Sequence, residues 1–482
     1  ENLEDDTFKI EKYEKALTRL GGNSQVGGAT NDAGSVGGAV NSGGAGMDPR
    51  VWKMIDAIGK ANGRAKGSYA ACFCDPEVSG LFAVKAGSSL YAGTGADAHG
   101  QFVVVSSDLT SVLSKTRILI PLREGEGLCF TDHFFFVFSL KGSAAAPEVS
   151  VPHLKRSKLG VRDTALLPEY RYYMEQEIRT ASVNLDGILR YYFPPRDTLD
   201  IDSVFERRKD LCSGILNGFE ALTEVTDREC LLREFAVFST SAEMKGILSR
   251  VGASAVERLA AASGSFSSEE RILLSDLLRH DPSQRVTLTL IDEMLLWKRR
   301  RTLIGGLDKF TEAVKGTASS GGRIYLVASG TSYHAALVAA VFFHDIAGIP
   351  VYPVNPGAFR GMYMNTLGKK DLVIGISQSG ETKDLVDIFG DLRSNNPDVR
   401  LLSVVNNENS RIPQELSDLY LPILCGPEIA VAATKSFVNQ LAVFYIIAAR
   451  LVRNDERVEG DLRHIQMLIA EALEKAGPAI SA

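Results

Sequence analysis

The sequence lacks a strong excess of either charge: 53 Lys and Arg stand against 59 Asp and Glu in 482 residues, a net charge of −6. That balance gives no electrostatic reason to expect a nucleic-acid partner. Cysteine is sparse. Cys72, Cys74, Cys129, Cys212, Cys230 and Cys425 lie scattered, mostly inside apolar strings, and Cys72-Phe73-Cys74 is too tight for a C-x-x-C metal or redox pair. They read as buried thiols of a reducing cytoplasm rather than a disulfide framework. Long apolar runs are missing too. The longest, 335–342 and 441–449, fall far below the roughly 20 residues that cross a bilayer. The first residues (Glu1, Glu4, Asp5, Asp6) are acidic and lack the apolar core of a signal peptide. A soluble cytoplasmic protein without a membrane partner is expected. The seven His are dispersed, without metal spacing, and no cofactor is expected.

What is present is the composition of an ordinary globular protein, 45% hydrophobic and 23% charged, long enough for two to four domains. Residues 8–20 read as a short charged helix. Residues 21–47 are a low-complexity stretch with ten Gly, which cannot bury enough apolar surface to order itself and reads as a linker. A helix over 48–61 follows. Short strands at 68–74, 80–86, 89–93, 101–105, 118–122, 127–131 and 134–140, separated by Gly, Ser and Asp turns, predict an antiparallel sheet, with a helical turn at 109–114. A connector over 141–167 leads to a helix at 169–192. Leu and Ile then recur at three- and four-residue steps in 204–222, 229–249, 255–262, 268–280 and 288–315, which predicts a mostly helical middle region.

From Arg323 strands alternate with helices. The strands are 323–328, 351–354, 372–376, 400–405 and 419–424; the helices are 333–346, 383–393, 411–416 and 431–452. Continuous Val/Ile/Leu strands between helices predict an α/β fold with a five-stranded parallel sheet covered on both faces, and a ligand at the carboxyl ends of the strands. A charged amphipathic tail, 455–476, closes the chain. The expected organisation is therefore 1–140, 141–320, 321–455 and 456–482.

The stretch 372–382 is central. Apolar residues run into Ser377-Gln378-Ser379-Gly380-Glu381-Thr382, and an amphipathic helix follows at once. Backbone N–H groups and the positive end of the helix dipole converge at such a junction and favour an anion. Gly380 permits close approach, and Ser377, Ser379 and Thr382 add hydroxyls. A similar turn, Ser329-Gly330-Thr331-Ser332-Tyr333, ends an earlier strand, and Glu428 to Lys435 opens a long apolar helix. Each turn alone could serve as a helix cap; three in one sheet point to a ligand site.

Other patterns carry less. Gly93-x-Gly95-x-x-Ala98 fits a relaxed dinucleotide fingerprint, but a strand follows it where a helix is required, so it reads as a turn. Gly368-Lys369-Lys370 lacks the upstream Gly and the Ser/Thr of a P-loop. Lys298-Arg299-Arg300-Arg301 offers a basic patch or, on a helix of an acidic protein, a solvated face, and the second is expected. His334, one residue into its helix, reads as packing rather than catalysis.

Gly330-Thr-Ser-Tyr-His334, Ser377 to Thr382 and Glu428-Ile-x-Val-Ala-x-Thr-Lys435 resemble the sugar isomerase (SIS) domain over about 323–452. More narrowly, they resemble the first SIS domain of the glutamine–fructose-6-phosphate aminotransferase family, the isomerising glucosamine-6-phosphate synthases. The resemblance implies a flavodoxin-like fold. Ser377, Gln378, Ser379 and Thr382 would bind the sugar phosphate, while Thr331, Ser332 and Val431 line the sugar. Ala433 stands where the family often has Ser. Upstream, Gly67-Ser-Tyr-Ala70, Lys85 to Leu90, Ser107-Asp108 and Arg123 to Glu126 are similar to the later half of the family's glutaminase domain, an Ntn-type αββα sandwich. Tyr173-Met-Glu-Gln-Glu177-Ile178 resembles the motif joining glutaminase to synthase, with Arg179-Thr-Ala181 in place of the usual Glu-Gln-Pro.

The departures from the family bear on function. The family's glutaminase uses an N-terminal Cys whose own α-amine is the base; here the first residue is Glu1. The helical region 181–320 is much longer than the family's connector. The family's isomerase base, Schiff-base Lys and ring-opening His belong to a second SIS domain, expected beyond Ala482. The expected function is therefore binding of a hexose 6-phosphate, fructose 6-phosphate above all. Glutamine or ammonia would be handled through parts outside this sequence. Two alternatives stay open: a self-contained phosphosugar isomerase using Glu428, Lys435 and His334, or a sugar-phosphate sensor or scaffold. SIS domains pair, which implies a homodimer or larger assembly.

Overall fold

A computed structural model describes residues 49–98, 100–131, 135–140, 149–262 and 265–481. The helix expected at 8–20 and the glycine-rich stretch 21–47 lie outside the described residues. The chain divides into two compact units, 1–161 with 210–292, and 162–209 with 293–482.

In the first unit the strands are β1 (Tyr69–Cys74), β2 (Leu81–Ala86), β3 (Tyr91–Asp97), β4 (Gly100–Ser106), β5 (Ile118–Ile120), β6 (Glu126–Phe130), β7 (Phe135–Ser139), β8 (Val149–Ser150) and β9 (Lys155–Arg156). They form two antiparallel sheets, ordered β1-β2-β6-β7-β8 and β4-β3-β5-β9. Period-two alternation explains their stacking. Phe82, Val84, Cys129, Phe136 and Phe138 pack with Val51, Ile55 and Ile58 of the helix Pro49–Arg64. Ala83, Leu128, Phe135 and Val137, one residue out of step, pack with Ala92 and Ile120 of the second sheet and with Leu90 just before it. Hence β7 reads as a run of buried residues: both of its faces are covered.

The outer face of the second sheet carries the short helix Leu109–Leu113, whose Asp108 accepts N–H bonds from Thr110 and Ser111. Gly93 and Gly95 correct the sequence reading here. They lie inside β3 and not in a turn. A Cβ on Gly93 would sit 2.9 Å from Val112 Cγ1 and 2.7 Å from Thr116 Cγ2, and one on Gly95 would sit 2.8 Å from the Phe102 ring. Glycine is required by what packs on the strand. Cys129, Cys212 and Cys425 are buried as expected, but Cys72 and Cys74 are exposed on β1, which among the described residues is an edge strand beside β2.

The middle of the chain is helical, with more breaks than its periodicity indicates. The expected helix 169–192 is two, Tyr173–Arg179 and Ala181–Tyr192. At the break the Gln176 carbonyl accepts both the Thr180 N–H at 3.0 Å and the Thr180 hydroxyl at 2.9 Å. The run 204–222 is interrupted at Arg208, between Arg196–Arg207 and Lys209–Thr223. The run 229–249 is interrupted where Ser241 accepts the Met244 N–H and starts the helix Ala242–Val251.

The second unit is built on β10 (Ile324–Ala328), β11 (Tyr352–Val354), β12 (Leu372–Ser377), β13 (Arg400–Val405) and β14 (Leu419–Pro422). They form one parallel five-stranded sheet in the order β11-β10-β12-β13-β14. Counted from β10 this is 2-1-3-4-5, the flavodoxin-like order. Alternation again divides the side chains. Ile324, Leu326, Leu372, Ile374, Leu402 and Val404 face one core with Phe343, Phe310 and Phe444. Tyr325, Val327, Val373, Leu401 and Val405 face the other with Leu385, Phe389 and Ile412. Each fully buried aliphatic side chain contributes about 1.5–3 kcal/mol. Gly375, at the one β12 position without a side chain, gives Phe389 room: a Cβ there would lie 2.7 Å from its ring.

The helix Lys435–Val452 is long and apolar enough to cross a membrane by length and composition, but 61% of that window is buried inside the unit. It packs on the helix Gly330–Ala347, with Phe343 and Phe444 ring centroids 6.4 Å apart. The tail expected at 455–476 is the helix Asp455–Ser481, whose Val458 and Leu462 join the same core.

The basic run at 298–301 also departs from its expected solvated face. Arg300 is 2% exposed, and its Nε and Nη2 donate to Asp202 at 2.7 and 2.5 Å. Arg299 pairs with Glu408, and Arg301 pairs with Glu206 at 3.0 Å while lying over the Trp297 ring.

Candidate functional site

The chain leaves β10 toward β11 on one side and returns to β12 on the other, so the carboxyl ends of β10 and β12 border the crevice where open α/β sheets hold ligands. Both hydroxyl-rich turns open there. After β10, Gly330 takes φ of +57° and begins the helix Gly330–Ala347; Ser329 makes no side-chain cap to it. Thr331 and Ser332 sit half-buried in its first turn. His334 is exposed two residues further on.

The turn after β12 is stapled from within. Ser377 is 2% exposed; its Oγ accepts the Gly380 N–H at 2.9 Å and lies 2.8 Å from Thr382 Oγ1. Thr382 therefore turns toward Ser377 and does not cap the helix Lys383–Asn395. Ser379 is exposed, with its Oγ accepting the Glu381 N–H at 3.2 Å. Gln378 is half-buried, and its carbonyl accepts the Asn407 N–H at 3.3 Å. Gly380 has φ of +67°, and a Cβ on it would fall 1.8 Å from Ser410 Oγ. The segment after β13 thus supports the turn, a contact that no local pattern signals.

The third element differs from its expected form. The helix begins at Lys435, not at 431. Backbone N–H groups of the preceding loop bond to carboxylates. Glu428 accepts the N–H groups of Thr434 and Ser436, each at 3.0 Å, and the Ser436 hydroxyl at 2.5 Å. Glu177, 3% exposed, accepts the N–H groups of Ile429 and Ala430 at 2.6 and 3.1 Å. Val431, between these anchors, is fully exposed. Glu428 is thus occupied at the positive end of a helix, and a role as the proton-shuttling base would require it to leave those donors.

Two buried amides on this helix escaped the sequence reading. Gln440 is 1% exposed and its Nε2 donates to Ser332 Oγ at 3.0 Å; Asn439 donates to the Ile423 carbonyl at 2.8 Å. Adjacent amides in the most apolar stretch of the unit were the available signal. Gln440 links the helix after the third element to the turn after β10. Beneath the loop, burial pushes the Cys425 thiol far up, and the Glu428 carboxylate adds to this, so Cys425 is no thiolate nucleophile. Among the described residues no cluster of His, Cys, Asp or Glu could hold a metal ion.

The side chains of Ser329, Thr382 and Thr434 do not cap the helices that follow them, so capping does not account for these three hydroxyls. Against known protein families, residues 318–450 match the SIS domain. These residues form an SIS domain. Curated proteins similar to the chain bear the name glutamine–fructose-6-phosphate aminotransferase (isomerizing). The one from Bacillus cereus is 40% identical over 152 residues, covering 31% of this chain and 25% of its own length. That from Methanothermobacter thermautotrophicus is 35% identical over 182 residues, covering 38% and 27%. Among solved structures, the C-terminal domain of glucosamine-fructose-6-phosphate aminotransferase from Francisella tularensis is similar, with 29% identity, a TM-score of 0.30, and 35% of this chain and 47% of that one covered. The matched region spans about a quarter of the length of these curated relatives.

Proposed function

We propose that the SIS domain binds a hexose 6-phosphate, fructose 6-phosphate above all, as part of a glucosamine-6-phosphate synthase-like reaction. The phosphate would rest on the 377–382 turn and the start of the helix Lys383–Asn395, contacting Ser377, Gln378, Ser379 and Thr382. The sugar would extend toward Thr331, Ser332 and Val431. The observation that carries this reading is the pair of uncapped, hydroxyl-rich helix starts side by side at the β10/β12 crevice. Dipoles and hydroxyls there favour a dianion.

The full reaction would move ammonia from glutamine onto the ketose and then isomerise it to an aldose, with a base shuttling a proton between C1 and C2. In this reading the helix–sheet–sheet–helix layers of the first unit correspond to the later half of a glutaminase-like domain. The sequence segments 1–140, 141–320, 321–455 and 456–482 are kept as the functional divisions, with 141–320 shared between the two compact units, and the protein works as a homodimer or larger assembly. Titration of the full chain with fructose 6-phosphate tests the site. Ser377→Ala with Ser379→Ala should weaken binding about 100-fold, at about 1.5 kcal/mol for each hydrogen bond to a charged group. Unchanged binding in that double variant sinks the assignment. Glucosamine 6-phosphate formation with glutamine, and separately with ammonia, then tests the reaction; activity with ammonia alone marks a working synthase half.

A further inference from the structure

Glu177 stands out among the carboxylates of the second unit. It lies in the short helix Tyr173–Arg179, is 3% exposed, and directs both oxygens into a loop more than 250 residues later in the chain. Oε1 takes two consecutive backbone N–H groups, those of Ile429 at 2.6 Å and Ala430 at 3.1 Å, and Oε2 faces the Thr434 hydroxyl at 3.4 Å. The same hydroxyl lies 3.3 Å from Glu428 Oε1. Two carboxylates thus hold the loop at two separate places. Glu428 fixes its junction with the helix Lys435–Val452, and Glu177 fixes its middle, immediately before the exposed Val431. Without Glu177 the N–H groups of Ile429 and Ala430 would lose a charged acceptor, and the loop would have no anchor between Glu428 and Val431 from this helix.

We propose that Glu177 is a positioning residue for sugar recognition: it sets the path of 429–434 over the crevice, so that the loop meets the sugar portion while the 377–382 turn holds the phosphate. This rests on the sugar-phosphate reading above. It assigns the Tyr173–Arg179 helix a task at the site, beyond joining one part of the chain to another. A carboxamide can keep one acceptor oxygen on both N–H groups and turn its NH2 toward the Thr434 oxygen, so Glu177→Gln should preserve the clamp; Glu177→Ala removes it.

The test uses the full chain with Glu177→Ala and Glu177→Gln, and two probes, fructose 6-phosphate and inorganic phosphate. In Glu177→Ala the Kd for fructose 6-phosphate should rise about tenfold while that for inorganic phosphate changes less than about twofold, and Glu177→Gln should bind both like the parent. Equal weakening of both probes, or no weakening of either, overturns the proposal, since a general loss of folding would move them together. Amide hydrogen exchange without ligand supplies an independent readout. Glu177→Ala should speed exchange in 428–436 and leave 372–382 unchanged; unchanged exchange in 428–436 overturns the clamp. If the parent binds neither probe, the sugar-phosphate reading fails and with it the recognition role, while the exchange result still decides whether Glu177 holds the loop.

Discussion

Ser377 Oγ and Thr382 Oγ1 lie 2.8 Å apart across the turn that ends β12, and the same Ser377 oxygen accepts the Gly380 N–H. Ser377 thus shapes the turn from inside, while exposed Ser379 offers its hydroxyl outward. The two serines should separate on substitution. Ser377→Ala should lose about 1–2 kcal/mol of stability along with phosphate affinity, because it strands a buried N–H. Ser379→Ala should lower affinity with stability changed by less than about 0.5 kcal/mol. Urea unfolding beside calorimetric titration measures both; equal stability losses would mean that Ser377 does not staple the turn.

Gly380 cannot carry a side chain in this turn. Its φ is +67°, and a Cβ would meet Ser410 Oγ at 1.8 Å and Ser410 Cβ at 2.8 Å. Gly380→Ala should cost about 2–3 kcal/mol from overpacking and left-handed strain together. Adding Ser410→Gly should recover the steric part and leave the strain, a coupling of about 1 kcal/mol or more in a double-mutant cycle. Additive effects would show that the turn and the segment after β13 are not in contact.

How much of this was legible beforehand depends on the range of the interactions. The parallel sheet and its two turns announced themselves because a buried strand, a hydroxyl cluster and an amphipathic helix are adjacent in sequence. Gly93 and Gly95 misled because glycine in a strand is explained only by distant neighbours, here Val112, Thr116 and Phe102. Arg300 looked solvated because Asp202, its partner, is 98 residues away. The loop before the last sheet helix depends on a distant residue too: Glu177, far upstream, accepts the Ile429 and Ala430 N–H groups and fixes the chain just before the expected helix start at 431. Local patterns set the elements, and long-range polar contacts decided where they stop.

The Arg300–Asp202 pair gives a prediction independent of ligand. Arg300's side chain is 3% exposed and Asp202's 15%, with two hydrogen bonds between them. Arg300→Met should destabilise by about 3 kcal/mol, because it leaves a largely buried carboxylate without its guanidinium. Arg300→Met with Asp202→Leu should regain most of that loss, since well-packed apolar replacements of buried pairs are often neutral. Denaturant midpoints of the two variants decide it; a double variant no better than the single one would refute the pairing.

At the opposite end of the sheet, Asp371 gives a pH dependence. It accepts the Arg323 N–H at 2.7 Å, the Gly368 N–H at 2.9 Å and the Arg323 Nη2 at 2.6 Å, tying the amino ends of β10 and β12. Burial works to raise its pKa, but the Arg323 guanidinium and these N–H groups outweigh burial and hold the carboxyl below its ordinary value of 3.8. With the folded-state pKa depressed, the stabilisation is complete above that ordinary value and is lost as pH falls through the lowered one. Asp371→Asn should therefore be less stable than the parent by about 1–2 kcal/mol at pH 7, with the gap narrowing only in strong acid. Sugar-phosphate affinity at pH 7 should be unchanged, because the pair lies at the end of the strands remote from the turns. Urea midpoints of both proteins across the acid range test the sign: a gap that stays constant to low pH would show that Asp371 is not the titrating group, and a gap that widens would reverse the assignment.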